Sequence, residues 1–221
     1  MDTYDGSGLS LLQMQDEVCK RCFKDTATFR AMVKNWINEA QQKINSLANG
    51  RWWWLETSRA YPLNQGDEQI VLPDDFFELI DTASVRDEAN HVILCRLPHR
   101  DYAARFASSP GQPDAYTVFA RDESGARILR VNPPSDTSRV ITIDYYKVLP
   151  DLSEEDDISQ IPYWYHYVLI EFAVLRGHEH RQQAEMASIA RKNWLEGVSQ
   201  LMVEADQRND YQPQLRPRWR W

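Results

Sequence analysis

The chain has 221 residues and a net charge of −8, with 43% hydrophobic and 26% charged residues. A chain of this length buries roughly 70% of its unfolded surface, enough for one large core or two modest ones, and its ordinary composition excludes wholesale disorder. The acidic balance argues against a body that grips nucleic acid through phosphates, and three cysteines, Cys19, Cys22 and Cys95, are too few for a disulfide framework.

The odd cysteine count fits a reducing compartment. No stretch approaches the roughly 20 apolar residues that span a bilayer, and the opening Met1-Asp2-Thr3-Tyr4-Asp5 is acidic where a secretory signal is basic. The expectation is a cytoplasmic, unprocessed protein with no membrane partner. Eight tryptophans are the compositional anomaly. Tryptophan is enriched where one protein anchors in another, although ordinary core burial accounts for about half or more of such rings.

In chain order, residues Ser10 to Phe23 carry Leu11, Leu12, Val18 and Cys22 at loosely helical spacing, and Asp25-Thr26 ends that run. Phe29, Met32, Val33, Trp36, Ile37, Ala40, Ile44 and Leu47 then recur at steps of three and four, which predicts one buried face of a helix over 28–48. Asn49-Gly50 closes it, since both residues tolerate the positive φ found just past a helix end. Two helices with so short a connection pack antiparallel.

After Arg51-Trp52-Trp53-Trp54 the pattern turns extended. Ala60 to Leu63, the turn Asn64 to Asp67, and Gln69 to Leu72 read as a hairpin. Asp75 and Glu78 have capping-box spacing, which predicts one helical turn there. Further strands are expected over Leu79 to Val85, His91 to Leu97, Tyr116 to Ala120, Ile128 to Val131 and Val140 to Tyr146, with a short helix at Asp101 to Phe106. The acidic run Glu154-Glu155-Asp156-Asp157 reads as a solvated linker. Ile161-Pro162 opens a helix buried through Tyr165, Val168, Leu169, Phe172 and Leu175. A last helix from Gln183 to Asp206 turns Ile189, Trp194, Val198, Leu201 and Met202 inward.

The expected fold class is therefore α+β: an antiparallel helical bundle from residues 1–50 and 158–208, an inserted β-sandwich or barrel-like domain over 51–157, and an extended arm over 209–221.

Catalytic signatures are missing from the sequence. Cys19 and Cys22 have CxxC spacing but lack a second ligand pair for zinc and lie in a predicted helix, so they read as two small apolar side chains one turn apart. His178 and His180 read as solvated residues of an interhelical turn. No nucleotide loop, nucleophile elbow or HExxH motif occurs. The expectation is a protein that is not an enzyme, with no catalytic residues, cofactor or metal.

The arm differs in chemistry. Arg208 to Trp221 holds four arginines and one aspartate, a net +3 that leaves −11 on the rest of the chain. Its prolines and lack of helical period make it extended, and arginine and tryptophan are favoured interface anchors. Leu215, Arg216, Arg218, Trp219, Arg220 and Trp221 are the candidate partner-binding residues, for a neighbouring subunit or another protein.

The order of signals resembles the head-to-tail adaptors of tailed bacteriophages, the neck proteins beneath the portal. The residues that carry it are Ile44-Asn45-Ser46-Leu47 with Arg51-Trp52-Trp53-Trp54, Tyr61-Pro62-Leu63, Ile70-Val71-Leu72-Pro73-Asp74-Asp75-Phe76 and Gly111-Gln112-Pro113-Asp114-Ala115-Tyr116. They continue through Asn132-Pro133-Pro134, Asp144-Tyr145-Tyr146-Lys147, Leu149-Pro150-Asp151-Leu152 and Ile161-Pro162-Tyr163-Trp164-Tyr165-His166. The long basic arm departs from the pattern, since its length varies among such proteins. The resemblance implies a homo-oligomeric ring, dodecameric in the virion, that joins portal protein to a tail nozzle or tube protein. DNA would pass through its channel without specific binding, and the protein would reside in the virion neck and, during assembly, in the host cytoplasm. Two other readings compete: a soluble ligand- or peptide-binding module with tryptophans lining a pocket of the β domain, and a redox or metal enzyme using Cys19 and Cys22.

Overall fold

A computed structural model describes residues 8–105, 109–119 and 127–209, without the side chains of Arg208 and Asn209. The fold is α+β, with five α-helices and two sheets among the described residues. The chain divides into two compact units, one formed by residues 1–54 with 149–221 and the other by residues 55–148.

The first unit begins with helix α1 (Leu11–Arg21), opened by a reciprocal cap in which Ser10 Oγ accepts from the Gln13 amide at 3.3 Å and Gln13 Oε1 accepts from the Ser10 amide at 3.0 Å. Helix α2 (Ala27–Leu47) starts at Thr26, whose hydroxyl accepts from the Phe29 amide. It stops at Asn49 and Gly50, which take φ of +52° and +77°. The α2 stripe is buried at Phe29, Val33, Ile37, Ala40 and Ile44, while Leu47 at its end is exposed. Helix α4 (His166–His180) is buried on nearly every side, as its unbroken Val168-Leu169-Ile170 and Phe172-Ala173-Val174-Leu175 runs require, and packs against α1, α2 and α5 (Ala184–Asn209).

Helix α5 meets α4 through small residues. Ala187, Ala190, Leu201 and Ala205 are buried, and a Cβ on Gly197 would lie 2.7 Å from Val168 Cγ2. Ile189, expected inward, is 54% exposed, because the buried face at this part of α5 falls on Ala187 and Ala190 instead. The acidic run is wet but is not a free linker. The Leu11 and Leu12 amides donate to the Asp157 and Glu155 carbonyls, and Asp157 Oδ2 accepts from the Ser153 and Glu154 amides. The segment before it is fastened to α2 by Asn38, whose side chain bonds both the amide and the carbonyl of Leu152.

In the second unit, β9 (Arg139–Lys147) is the hub of a five-stranded sheet. Strand β1 (Glu56–Leu63) pairs antiparallel along it from Glu56↔Tyr146 to Leu63↔Arg139, while β3 (Phe76–Leu79) and β4 (Val85–Asp87) also pair with it, and β5 (Val92–Ile93) follows β4. The other sheet runs β2 (Gln69–Val71), β8 (Ile128–Asn132), β7 (Ala115–Phe119) and β6 (Cys95–Arg96), with β6 and β7 parallel. One core cluster joins residues of both, including Leu63, Phe76, Ile141, Ile143 and Tyr145 with Ile70, Tyr116 and Leu129. Helix α3 (His99–Arg105) is tied to β8 by Tyr102, whose hydroxyl donates to the Val131 carbonyl at 2.9 Å.

Four local expectations fail here. The segments on either side of Asn64 to Asp67 do not pair as a hairpin: β1 and β2 join different sheets, because each finds a longer-range partner. Asp75 and Glu78 do not open a helical turn. The Phe76 amide closes a turn on the Pro73 carbonyl, and the chain then enters β3 with Phe76 and Leu79 in the core. Leu79 to Val85 is no single strand, since Asp81 and Ser84 build a side-chain-bonded turn between β3 and β4. The run His91 to Leu97 likewise breaks at buried Leu94, where the chain passes from one sheet to the other.

Candidate partner-binding surfaces

Neither cysteine of the CxxC pair is placed for reaction. Cys19 and Cys22 are buried, with burial pushing both thiols up, that of Cys22 to about 11. Cys22 Sγ packs so closely on α4 that a Cβ on Gly177 would lie 2.6 Å from it. His178 and His180 sit in the last turn of α4 and not in a turn between helices. His178 is buried with Nδ1 2.8 Å from Gln183 Oε1, and His180 leans on the Trp36 ring. Among the described residues no group of three or more His, Cys, Asp or Glu is arranged to hold a metal.

His166, at the start of α4, is buried and bonded through both ring nitrogens. It is 1% exposed; Nδ1 accepts from the Leu9 amide at 3.0 Å, which leaves Nε2 to donate to the Ile161 carbonyl at 2.9 Å. Both bonds belong to the neutral ring, and burial lowers its pKa below the ordinary value of 6.5. The imidazole thereby pins residues 8–10 to the head of α4, and a Cβ on Gly8, at φ +87°, would press on Cε1.

Beside that anchor lies an open groove of about 510 Å³ on the helical unit, lined by Gln13, Glu17 and Arg21 of α1 and by Tyr163, Trp164 and Tyr167 at the start of α4. The three rings are 46%, 47% and 40% exposed, an unusual concentration of aromatic surface in five residues. Tyr163 and Trp164 meet edge to face at 4.9 Å. Arg21 is paired with Glu171 at 2.8 Å, whereas Glu17 has no hydrogen-bond or ion-pair partner among the described residues. The Tyr167 hydroxyl donates to Gln200 Oε1 of α5, and its pKa is raised by burial and by the carboxylates of Glu196 and Glu171.

Trp52 and Trp54 serve the scaffold of the helical unit. Trp52 is 1% exposed, donates from Nε1 to the Ile44 carbonyl at 3.1 Å, and stacks on Trp54 at 4.4 Å. The β unit has a cleft of about 650 Å³ lined by Phe76, Phe77, Phe119, Arg96 and Arg127, with no tryptophan in it. Residues 55–148 contain none, so a tryptophan-lined pocket in that unit is ruled out.

Several motif residues quoted above converge. The Gly111 amide donates to the Pro134 carbonyl at 2.8 Å, and the Asp114 amide to Asn132 at 3.1 Å, so the Gly-Gln-Pro-Asp and Asn-Pro-Pro segments form one joint. Asp75 accepts from the Tyr145 hydroxyl at 3.0 Å and from Arg59 at 3.5 Å, which ties the Pro-Asp-Asp-Phe turn to β9 and β1. These are architectural contacts of a shared scaffold. A family model described as SU10 adaptor protein matches residues 9–218, nearly the whole chain. The chain belongs to the SU10 adaptor family. Its resemblance to phage head-to-tail adaptors and its assignment as a structural adaptor rest on that match. None of the curated proteins matches this adaptor.

Leu215, Arg216, Arg218, Trp219, Arg220 and Trp221 lie outside the described residues of the adaptor. The groove at Tyr163, Trp164 and Tyr167 with Glu17 was not singled out from sequence as a surface, although its aromatic run was among the motif residues. The missing signal was exposure, which the helical periodicity of one segment does not encode when several helices compete to cover it.

Proposed function

We propose that this adaptor is a structural component of the neck of a tailed phage virion, forming a ring beneath the portal that connects capsid to tail and lets DNA pass. The observation that carries this reading is the family match over residues 9–218, joined to a fold in which a β unit is inserted between two halves of a helical unit. The helical unit is read as an antiparallel bundle that engages the portal, and the two sheets, with their shared core, as a small sandwich that engages the tail protein. The residues proposed as a domain-like insert, 51–157, extend a few positions beyond the compact β unit at either side.

A ring of acidic subunits suits passage of DNA. A channel wall that carries negative charge repels the phosphate backbone and holds no grip on it. The arm over 209–221, with its arginines and tryptophans, is the proposed latch to portal or neighbour by strand addition and aromatic anchoring. Deleting Gln212 to Trp221 is expected to leave a folded subunit that no longer co-purifies with portal protein in a pull-down. Undiminished retention rejects the latch.

A further inference from the structure

The groove on the helical unit and the arm that follows α5 are matched in place, in charge and in chemistry. Helix α5 runs back along α4, with Gln200 bonded to Tyr167 and Glu204 to the Tyr165 hydroxyl at 2.7 Å. It therefore passes the start of α4 at Glu204 and ends five residues later at Asn209, about 7 Å further on. The last described residue, Asn209, thus lies at the end of the unit where Tyr163 and Trp164 stand. Extended, the six residues 210–215 that precede Arg216 would span about 20 Å, more than the roughly 7 Å by which the helix end overshoots Glu204.

Charge points the same way. The groove holds Glu17 without a partner among the described residues, while the Arg21 guanidinium that also lines it is already paired with Glu171 at 2.8 Å. The arm supplies Arg216, Arg218 and Arg220 interleaved with Trp219 and Trp221. An arginine on an acid beside exposed rings gains an ion pair and a cation–π contact together, and a tryptophan beside it covers aromatic surface otherwise left to water.

We propose that residues 216–221 dock in the groove formed by Glu17, Tyr163, Trp164 and Tyr167 of their own chain, so that the free subunit keeps its arm parked. The own-chain source follows from tethering. A short linker holds the arm at an effective concentration of about a millimolar, far above the concentration of a second copy, and an affinity of only about 0.1 mM then leaves about nine-tenths of the arms docked. The inference rests on the latch reading in one respect, that the arm is a binding element. It adds where the arm waits before a portal is present.

Trypsin reads the docked state directly, because cleavage after Arg218 releases Trp219 to Trp221 and changes the mass of the otherwise intact chain. In the full-length protein without portal, Trp164→Ala and Glu17→Gln are each expected to speed that cleavage, the former by about tenfold, with unchanged circular dichroism. The native rate should be the same after tenfold dilution. Equal cleavage rates in the native chain and both variants overturn the proposal. Protection that falls on dilution also overturns it, by giving the groove to the arm of a second copy. Because no portal enters the assay, its failure is separable from failure of the pull-down above.

Discussion

Gly197 of α5 lies against Val168 and Tyr167 of α4, and replacing it with alanine opposes two effects of known size. In an unobstructed helix interior the change stabilises by about 1 kcal/mol, since glycine costs backbone entropy that alanine does not. Here the added Cβ would stand 2.7 Å from Val168 Cγ2, 3.1 Å from Tyr167 Cε2 and 3.2 Å from the Tyr167 hydroxyl. Ordinary carbon contacts are about 3.5–4.0 Å, and Val168, fully buried and β-branched, has little rotamer freedom with which to yield. Overpacking of this kind costs about 1–3 kcal/mol. Gly197→Ala should therefore be net destabilising, by up to about 2 kcal/mol. In a Val168→Ala background the penalty should shrink, because the nearest methyl is gone while the tight approach to Tyr167 remains. The assay is equilibrium urea unfolding followed by helical circular dichroism for the native chain, both single variants and the double variant. A coupling energy of about 2 kcal/mol is expected. Additive effects, or a stabilised single Gly197→Ala variant, would refute the close packing of α5 on Val168 of α4.

Other consequences follow from individual groups. His166 is held neutral in the fold, so below its ordinary pKa of 6.5 the unfolded chain takes up a proton that the folded chain refuses. Stability should be fully present above that value and fall as pH drops through it, by at most about 1.4 kcal/mol per pH unit until the folded ring titrates. His166→Gln should flatten the slope between pH 7 and pH 5 in unfolding curves, whatever it does to stability at neutral pH; an unchanged slope rejects the assignment. Native-state alkylation should modify exposed Cys95 and spare Cys19 and Cys22, which are buried and have raised thiol pKa values. Mass spectrometry showing rapid labelling of either buried thiol contradicts this and revives a redox role.

How much was legible in the sequence depends on how local the cause was. Helix α2 was readable because its stripe and both ends are written in adjacent residues: periodic apolar positions, then Asn49 and Gly50. The buried face of α4 was readable for the same reason, and Tyr165, Val168, Leu169, Phe172 and Leu175 are all buried. The turn at Asn64 to Asp67 was visible as turn chemistry, but its consequence was not. Whether flanking strands pair with each other or with others is decided by β9, some eighty positions away in register with β1. Asp75 and Glu78 misled in a related way: capping-box spacing is common, and here the core demand on Phe76 overrides it. Ile189 faces out because the buried face at this part of α5 falls on Ala187 and Ala190, a fact that needs the partner helix to be known. Of the binding surface, the arm's chemistry was legible from composition alone, while the groove depended on exposure of three rings that look equally suited to a core.

The proposed role requires this adaptor to assemble on a portal. Electron microscopy of the purified protein mixed with portal protein tests it most directly. The expected image is a symmetric ring of adaptor subunits seated on one face of the portal. A portal that remains bare with the adaptor in excess would contradict the account.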